Sequence, residues 1–424
     1  MAELAVLGGR AACSEAFPAW PVHDEQEEAA LLDVLRSGRW GGWPYPGPST
    51  RAFLDEFLTV QGGQHAVACA NGTVTMEVAL RAAGVGWGHE VIVPAYTFQA
   101  TAMAPLSVGA TPVLVDVDPD TYCMDAACVE RAITSRTKAL IAVHVGDQLA
   151  DMDALCEIAR RHELILIEDA AHAHGARWRE HGVGTCGDFG SFSLQSNKLL
   201  TAGEGGVLIC RSATMADRAA SLIDNGRPYV SGGRQRGGEP CVLGTNWRMT
   251  EFQAALGRVG LKRLPEQTRQ RAAAAALLDE VLSEIPGVRL LRKDPRRTQR
   301  TLFGYICAVD AEVFGFDHRV VCHLLNSEGV PCWAGYQSLN REELFRPVRS
   351  QLPLARLQPE SVRYDTLAFP NAERASGEAV WFRERVFRGS SKGIMEVAQA
   401  LRKIYDHRAT IAARQHAFVQ EWQP

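Results

Sequence analysis

The chain has 424 residues, 46% hydrophobic and 22% charged, with a formal net charge of -4. That is enough for two domains with substantial cores; the absence of any basic block argues against a nucleic-acid partner, and the apolar runs fall far short of a membrane span. Met1-Ala2-Glu3-Leu4 lacks a basic start and a signal-like apolar core, and eleven cysteines are scattered singly with no CxxC pair, so a cytoplasmic protein with free thiols and no metal site is expected.

Residues 10–20 read as irregular. A helix is expected over Glu25–Ser37, entered at Pro21-Val22-His23-Asp24 and stopped by Gly38. In Trp40-Gly41-Gly42-Trp43-Pro44-Tyr45-Pro46-Gly47-Pro48 the prolines and glycines exclude regular structure while the aromatics require a surface. This is either a rigid loop capping the core or a loop lining a pocket; on the second reading Trp43 and Tyr45 are candidate substrate residues. Helix Thr50–Thr59 is amphipathic through Phe53, Leu54, Phe57 and Leu58.

Ala66–Ala70 reads as a strand that ends at Asn71-Gly72-Thr73, where a helix over Val74–Ala83 begins. Free N–H groups at such a junction suit a phosphate, although Thr73 could simply cap the helix. Further strands are expected at Glu90–Pro94, Thr111–Val117, Lys138–His144 and Leu164–Ile167, the last running into Glu168-Asp169, with a helix over Asp151–His162. Apolar strands alternating with helices indicate a mostly parallel sheet covered on both faces. Ligands in such sheets sit beyond the carboxyl ends of the strands, which is where Gly72, Phe98, His144 and Asp169 fall.

Ser191–Gly206 surrounds Lys198 with hydroxyls, amides and glycines, and Val207–Cys210 follows as a buried strand. A lone lysine is usually a solvated surface charge, but this setting suits an amine that condenses with a carbonyl compound. Ser231–Pro240 is expected to be a mobile surface loop. Helices at Glu251–Leu261 and Pro265–Ile285 follow, and the domain boundary is placed there, giving a large domain over 1–264 and a small α+β domain over 265–424. The small domain is expected to contain a strand at Tyr305–Val309 and helices at Arg319–Ser327 and Lys392–Tyr405.

Asp169 ends an apolar strand and needs a partner, which a protonated pyridine nitrogen would supply. Phe98 offers a face for a flat ring, Gly72 and Thr73 a phosphate site, and Lys198 an aldehyde partner. Those four demands together are the demands of pyridoxal 5′-phosphate (PLP). With Asn71-Gly72-Thr73, Pro94-Ala95-Tyr96-Thr97-Phe98, Glu168–Gly175, the lysine stretch and Gly244-Thr245-Asn246-Trp247-Arg248 in this order, the chain resembles the DegT/DnrJ/EryC1/StrS sugar and aminocyclitol aminotransferases, of fold-type-I PLP enzymes.

The resemblance implies the following roles. Lys198 carries the cofactor and shuttles a proton, Asp169 pairs with the ring nitrogen, and Phe98 stacks on the ring. Gly72, Thr73 and Ser193 hold the phosphate, His172 stands near the phenolic oxygen, and Asn246 reaches the phosphate from the partner of a homodimer. His172 could instead be a structural hydrogen-bonder. His144 matches a family histidine with either a packing or a substrate role, and Arg248 binds a substrate anion or braces the dimer. The antibiotic-pathway branch, with glutamine-dependent keto-inositol aminotransferases, is the nearest likeness. It implies transfer from glutamine, or secondly glutamate, to a cyclic ketone. Gly146-Asp147 and Arg383-Glu384 depart from that branch at positions expected to face the acceptor, which leaves room for a keto group on a nucleoside precursor. Two further readings stay open: an enzyme like the 3-amino-5-hydroxybenzoate synthases, and a non-catalytic PLP-binding regulator.

Overall fold

The computed structural model describes residues 3–41, 45–230, 233–234, 238–345 and 364–413. Seven strands form the central sheet: β1 (His65–Cys69), β2 (Glu90–Pro94), β3 (Thr111–Val115), β4 (Thr137–Val143), β5 (Ile165–Asp169), β6 (Phe189–Ser193) and β7 (Gly206–Cys210), in the order β1-β7-β6-β5-β4-β2-β3. Only β7 runs antiparallel to its neighbours. β2, β6 and β7 are buried at every residue. Strands dry on both faces require helices on both faces. These are drawn from α1 (Glu25–Ser37), α2 (Pro48–Gln61), α3 (Gly72–Ala82), α4 (Ala100–Ser107), α5 (Ala126–Ala132), α6 (Met152–Arg161), α7 (Ala213–Ile223) and α8 (Glu251–Leu282). The mostly parallel α/β sheet expected from the sequence is present.

Local chemistry fixes the helix ends. α1 starts in a reciprocal capping box of Asp24 and Glu27 and stops at Gly38, whose φ of 65° is left-handed. α2 has Pro48 in its first turn but no cap from its own sequence. Its cap comes from the buried Glu251 at the start of α8, which accepts from Ser49 N at 2.6 Å, Thr50 N at 3.1 Å and Thr50 Oγ1 at 2.5 Å. Phe53 and Phe57, both fully buried, seat α2 against the sheet, and Phe57 meets Phe192 edge-on at 5.0 Å. Each such ring contributes about 1.5–3 kcal/mol on burial.

The C-terminal sheet is antiparallel: β8 (Val288–Leu290), β9 (Gly304–Val309), β10 (Cys332–Trp333) and β11 (Ala379–Arg383), in the order β8-β9-β11-β10. Helices α9 (His318–Ser327), α10 (Pro370–Glu378) and α11 (Ser391–Asp406) accompany it.

Two expectations need correction. The pair of helices around residue 263 is one 32-residue helix, α8, with Pro265 inside it. Proline deletes one intrahelical bond, but α8 packs along α1, α2 and α11, and that support carries it through. Its Leu261 and Leu264 belong to the core of the large sheet, while Ala275, Leu278 and Leu282 belong to the core of the C-terminal sheet. The first core also takes in Ile306 and Trp381 from beyond residue 265. Secondly, much of the expected loop Ser231–Pro240 lies outside the described residues, but the backbone of Gly233–Arg234 pairs with Tyr229–Val230 as a two-stranded ribbon. Among the described residues no helix is long and apolar enough to cross a membrane.

Candidate active site

The carboxyl ends of the parallel strands open onto a cavity of about 580 Å³. Lys198 enters it from the turn after β6. Lys198 N donates to Gln195 O at 2.8 Å, Asn197 N to Gln195 Oε1 at 2.9 Å, and Trp20 Nε1 to Ser196 O at 2.8 Å. The backbone around the lysine is therefore held from both sides, and its ammonium sits 4.3 Å from the centre of the Phe303 ring. Burial lowers the amine from its usual 10.5 to about 8, against a weaker upward pull from Asp169.

Asp169, at the end of β5, is buried. Its Oδ2 accepts from Thr101 Oγ1 at 2.9 Å and its Oδ1 from Ala171 N at 3.3 Å. Burial nonetheless raises its carboxyl, outweighing those two bonds and the charges of Lys198 and His144. Both members of the pair are thus pressed towards neutrality. A ligand that delivered a protonated ring nitrogen to Asp169 and took the amine of Lys198 into a covalent bond would relieve both.

The phosphate end is built by α3. Its cap is Asn71, whose side chain accepts from Val74 N at 2.9 Å, so Thr73 is not the cap. The N–H groups of Gly72 and Thr73 remain at the open first turn, facing the cavity with Ser193. A Cβ on Gly72 would stand 2.5 Å from Ser193 Cβ and 3.0 Å from its Cα. The helix start and β6 can approach this closely only because residue 72 is glycine. Thr75 Oγ1 seals the junction, at 2.6 Å from both Gly72 O and Ser191 Oγ.

Phe98 is 47% exposed, unusual for so large a ring, and lies at the cavity wall where a flat ligand would cover it. His172 also lines the cavity, stacked on Phe303 at 3.8 Å with ring planes 9° apart. Burial pushes its imidazole well below the usual range, so it is neutral. Both its nitrogens are engaged, with Gly146 N at 3.2 Å from Nδ1 and Tyr336 Oη at 3.4 Å from Nε2. His144 is likewise occupied. Its Nδ1 accepts from Ala150 N at 3.2 Å, and its Nε2 lies 3.3 Å from Glu168 Oε2. Only the ring surface of His144 is left for a ligand.

The remaining candidates are not brought to this cavity. Tyr45 is a core residue whose hydroxyl donates to Ala68 O. Trp43 lies outside the described residues. Arg248 pairs with Asp224 at 2.5 Å. Asn246 is exposed and away from the cavity of its own chain. The departures at Gly146-Asp147 and Arg383-Glu384 do not line this cavity either. Asp147 is buried against Arg300 at 2.6 Å, in a network that continues to Asp279, while Arg383 lies over Trp333 and Glu384 is buried.

Thr101, Phe303 and Tyr336 are site residues that the sequence did not disclose. Thr101 carried a faint signal, a lone hydroxyl in the apolar run Ala100–Ala104 one turn after Thr97. Phe303 and Tyr336 carried none, since they arrive from more than 100 residues beyond Lys198. The cavity's lining therefore fits PLP: a buried acid whose carboxyl is raised, an amine lowered to about 8, open N–H groups beside a hydroxyl, and an uncovered aromatic face.

Comparison with known proteins agrees. Residues 21–382 match the DegT/DnrJ/EryC1/StrS aminotransferase family. A protein of Streptoalloteichus tenebrarius, provisionally named an L-glutamine:3-amino-2,3-dideoxy-scyllo-inosose aminotransferase, is 40% identical over 409 residues, covering 95% of this chain and 97% of that protein. The L-glutamine:2-deoxy-scyllo-inosose aminotransferase of Micromonospora echinospora is 38% identical, covering 96% and 99%. Among solved structures, a 3-amino-5-hydroxybenzoic acid synthase superposes with a TM-score of 0.82 at 34% identity, covering 93% of this chain and all of that one.

Proposed function

The chain belongs to the DegT/DnrJ/EryC1/StrS aminotransferase family, and on that premise we propose that it is a PLP-dependent transaminase moving the amino group of L-glutamine onto a keto-cyclitol in antibiotic biosynthesis. The observation that carries this reading is Lys198, its amine lowered by burial to about 8, sharing one cavity with the buried Asp169. The donor and acceptor classes are supported by the names of relatives about 40% identical over nearly the whole chain.

When bound, PLP supplies an aldehyde that condenses with amines and a protonated ring that draws electrons from the neighbouring carbon. The protein's share is to hold and to move protons. Gly72, Thr73 and Ser193 would hold the phosphate through N–H and hydroxyl groups. Phe98 would offer its uncovered face to the ring. Asp169, fixed by Thr101 and Ala171 N, would favour a proton on the ring nitrogen through its carboxylate. Lys198 is poised to take a proton from the substrate carbon and to return it, because burial already holds its amine close to the working pH. The stacked Phe303 and His172 form an aromatic wall beside the lysine.

The functional unit is a homodimer in which Asn246 completes the partner's phosphate site, a reading supported by its being exposed and not among the residues lining its own cavity. The eleven free cysteines suit the cytoplasm. The deciding experiment mixes PLP-loaded protein first with L-glutamine, then with a keto-inositol, and follows the visible absorption. Loss with the donor and return with the ketone is the expected outcome; an absorption indifferent to every amino donor would overturn the proposal. The likeness to 3-amino-5-hydroxybenzoic acid synthase supports a second reading, ring dehydration of an aminoshikimate-type substrate, which the same preparation tests by product analysis.

A further inference from the structure

Tyr336 is placed with unusual care for a residue the reaction has not yet used. Gly335 before it has φ +71°, and a Cβ there would stand 2.6 Å from Tyr96 Oη and collide with Trp381 Nε1. Only glycine lets the chain pass. Tyr336 N then donates to Tyr96 Oη at 3.4 Å, and Tyr96 Oη also accepts from Trp381 Nε1 at 3.1 Å. The Tyr336 ring packs edge-on to Tyr96 and Trp381, and its tip reaches the cavity that holds Lys198.

The direction of the hydroxyl's proton follows from its neighbours. Gly146 N–H can only donate, so His172 Nδ1 is an acceptor. His172 is neutral, so its single proton is on Nε2, and Nε2–H donates to Tyr336 Oη. Tyr336 therefore accepts from the protein and keeps its own proton free to donate into the cavity. Among the described residues no acceptor for that proton is present. The His172 contact, at 3.4 Å, is also long, leaving the hydroxyl room to tighten on a ligand.

We propose that Tyr336 is the hydrogen-bond donor to a ligand oxygen in this cavity, a role that His172, with both nitrogens engaged, does not fill directly. The shared chemistry is an oxygen bearing full or developing negative charge. Its two sources are the ring oxygen of PLP and the keto oxygen of the cyclitol. The proposal rests on the aminotransferase reading for the second source and not for the first.

The test is Tyr336→Phe, which keeps the packed ring and removes only the hydroxyl. Cofactor-free variant and wild type are loaded with PLP, and three quantities are read: the PLP dissociation constant, the pH midpoint of the visible absorption, and the single-turnover rates with L-glutamine and with the ketone. If the oxygen is the cofactor's, PLP binds about tenfold more weakly, the midpoint rises by about one pH unit, and both half-reactions slow. If it is the acceptor's, binding and midpoint stay as in wild type while the ketone step alone falls by roughly ten- to a hundredfold. A variant unchanged in all three overturns the proposal. A wild type that turns over neither substrate fails the functional reading, and PLP binding and the midpoint then decide the cofactor arm alone.

Discussion

Replacing Lys198 with methionine should make the cofactor-free protein more stable while removing its chemistry. The physical cause is the cost of keeping an ammonium in the cavity wall. In the unfolded chain this lysine titrates at its ordinary 10.5, and in the folded protein at about 8. At about 1.4 kcal/mol per tenfold difference, that gap corresponds to about 3 kcal/mol of destabilisation. Lys198 opens onto the cavity and is only partly buried, so water there trims the figure to roughly 1–2 kcal/mol. Asp169 loses the charge of Lys198 in the variant and shifts further towards its neutral form, which offsets part of the gain. The sign with pH is definite. Between about pH 8 and 10.5 this lysine binds more protons in the unfolded chain than in the folded one, so its penalty shrinks through that window. Below pH 8 the penalty is fully present, and above 10.5 it has gone. Denaturant unfolding of both proteins without cofactor, from about pH 6.5 to 10.5, should show Lys198→Met ahead at neutral pH and the two curves converging at high pH. A variant less stable than wild type at pH 7, or parallel curves across the range, would refute the reasoning.

Gly72→Ala should lose PLP affinity by at least roughly a hundredfold and about 1–3 kcal/mol of stability, because a Cβ 2.5 Å from Ser193 Cβ must push the helix start off β6; dialysis against PLP and thermal unfolding measure the two effects, and normal affinity would contradict the cradle. Thr101→Val should raise the carboxyl of Asp169 further and weaken PLP binding about threefold to thirtyfold, by removing one hydrogen bond to a buried carboxylate. Thr101→Ser should restore binding, and equal affinity in all three proteins would show the hydroxyl to be idle. Asn246→Ala should weaken PLP binding although Asn246 lies outside its own chain's cavity, and sedimentation should return a dimer. A monomer with wild-type affinity would rule out the shared site.

What the sequence disclosed was the local part. The strand–Asn71-Gly72–helix junction, the acid at the end of β5 and the lysine in its glycine-rich turn were each legible, because a short stretch contains both the element and the chemistry it presents. The alternation of strand and helix likewise gave the sheet. Tyr45 misled because proline and aromatic residues signal a rigid loop equally well whether its rings face a ligand or the core. Pro265 misled because a helix-breaking residue was read without the α1, α2 and α11 surfaces that support it. Gly146-Asp147 looked like a specificity site, but Asp147 answers to Arg300, 153 positions away. Tyr336 and Phe303 were invisible for the same reason, since contacts between distant segments leave no spacing to find.

α8 begins by capping α2 through Glu251, passes one side of the lysine turn, and ends inside the second core at Leu282. One continuous helix therefore joins the two hydrophobic cores, and the chain that follows it returns, through Phe303 and Tyr336, to pack against the first core beside Lys198. The reaction chamber thus takes its walls from both halves of the sequence, so a substitution along α8 that touches no reacting atom should still be felt there through the packing it supports.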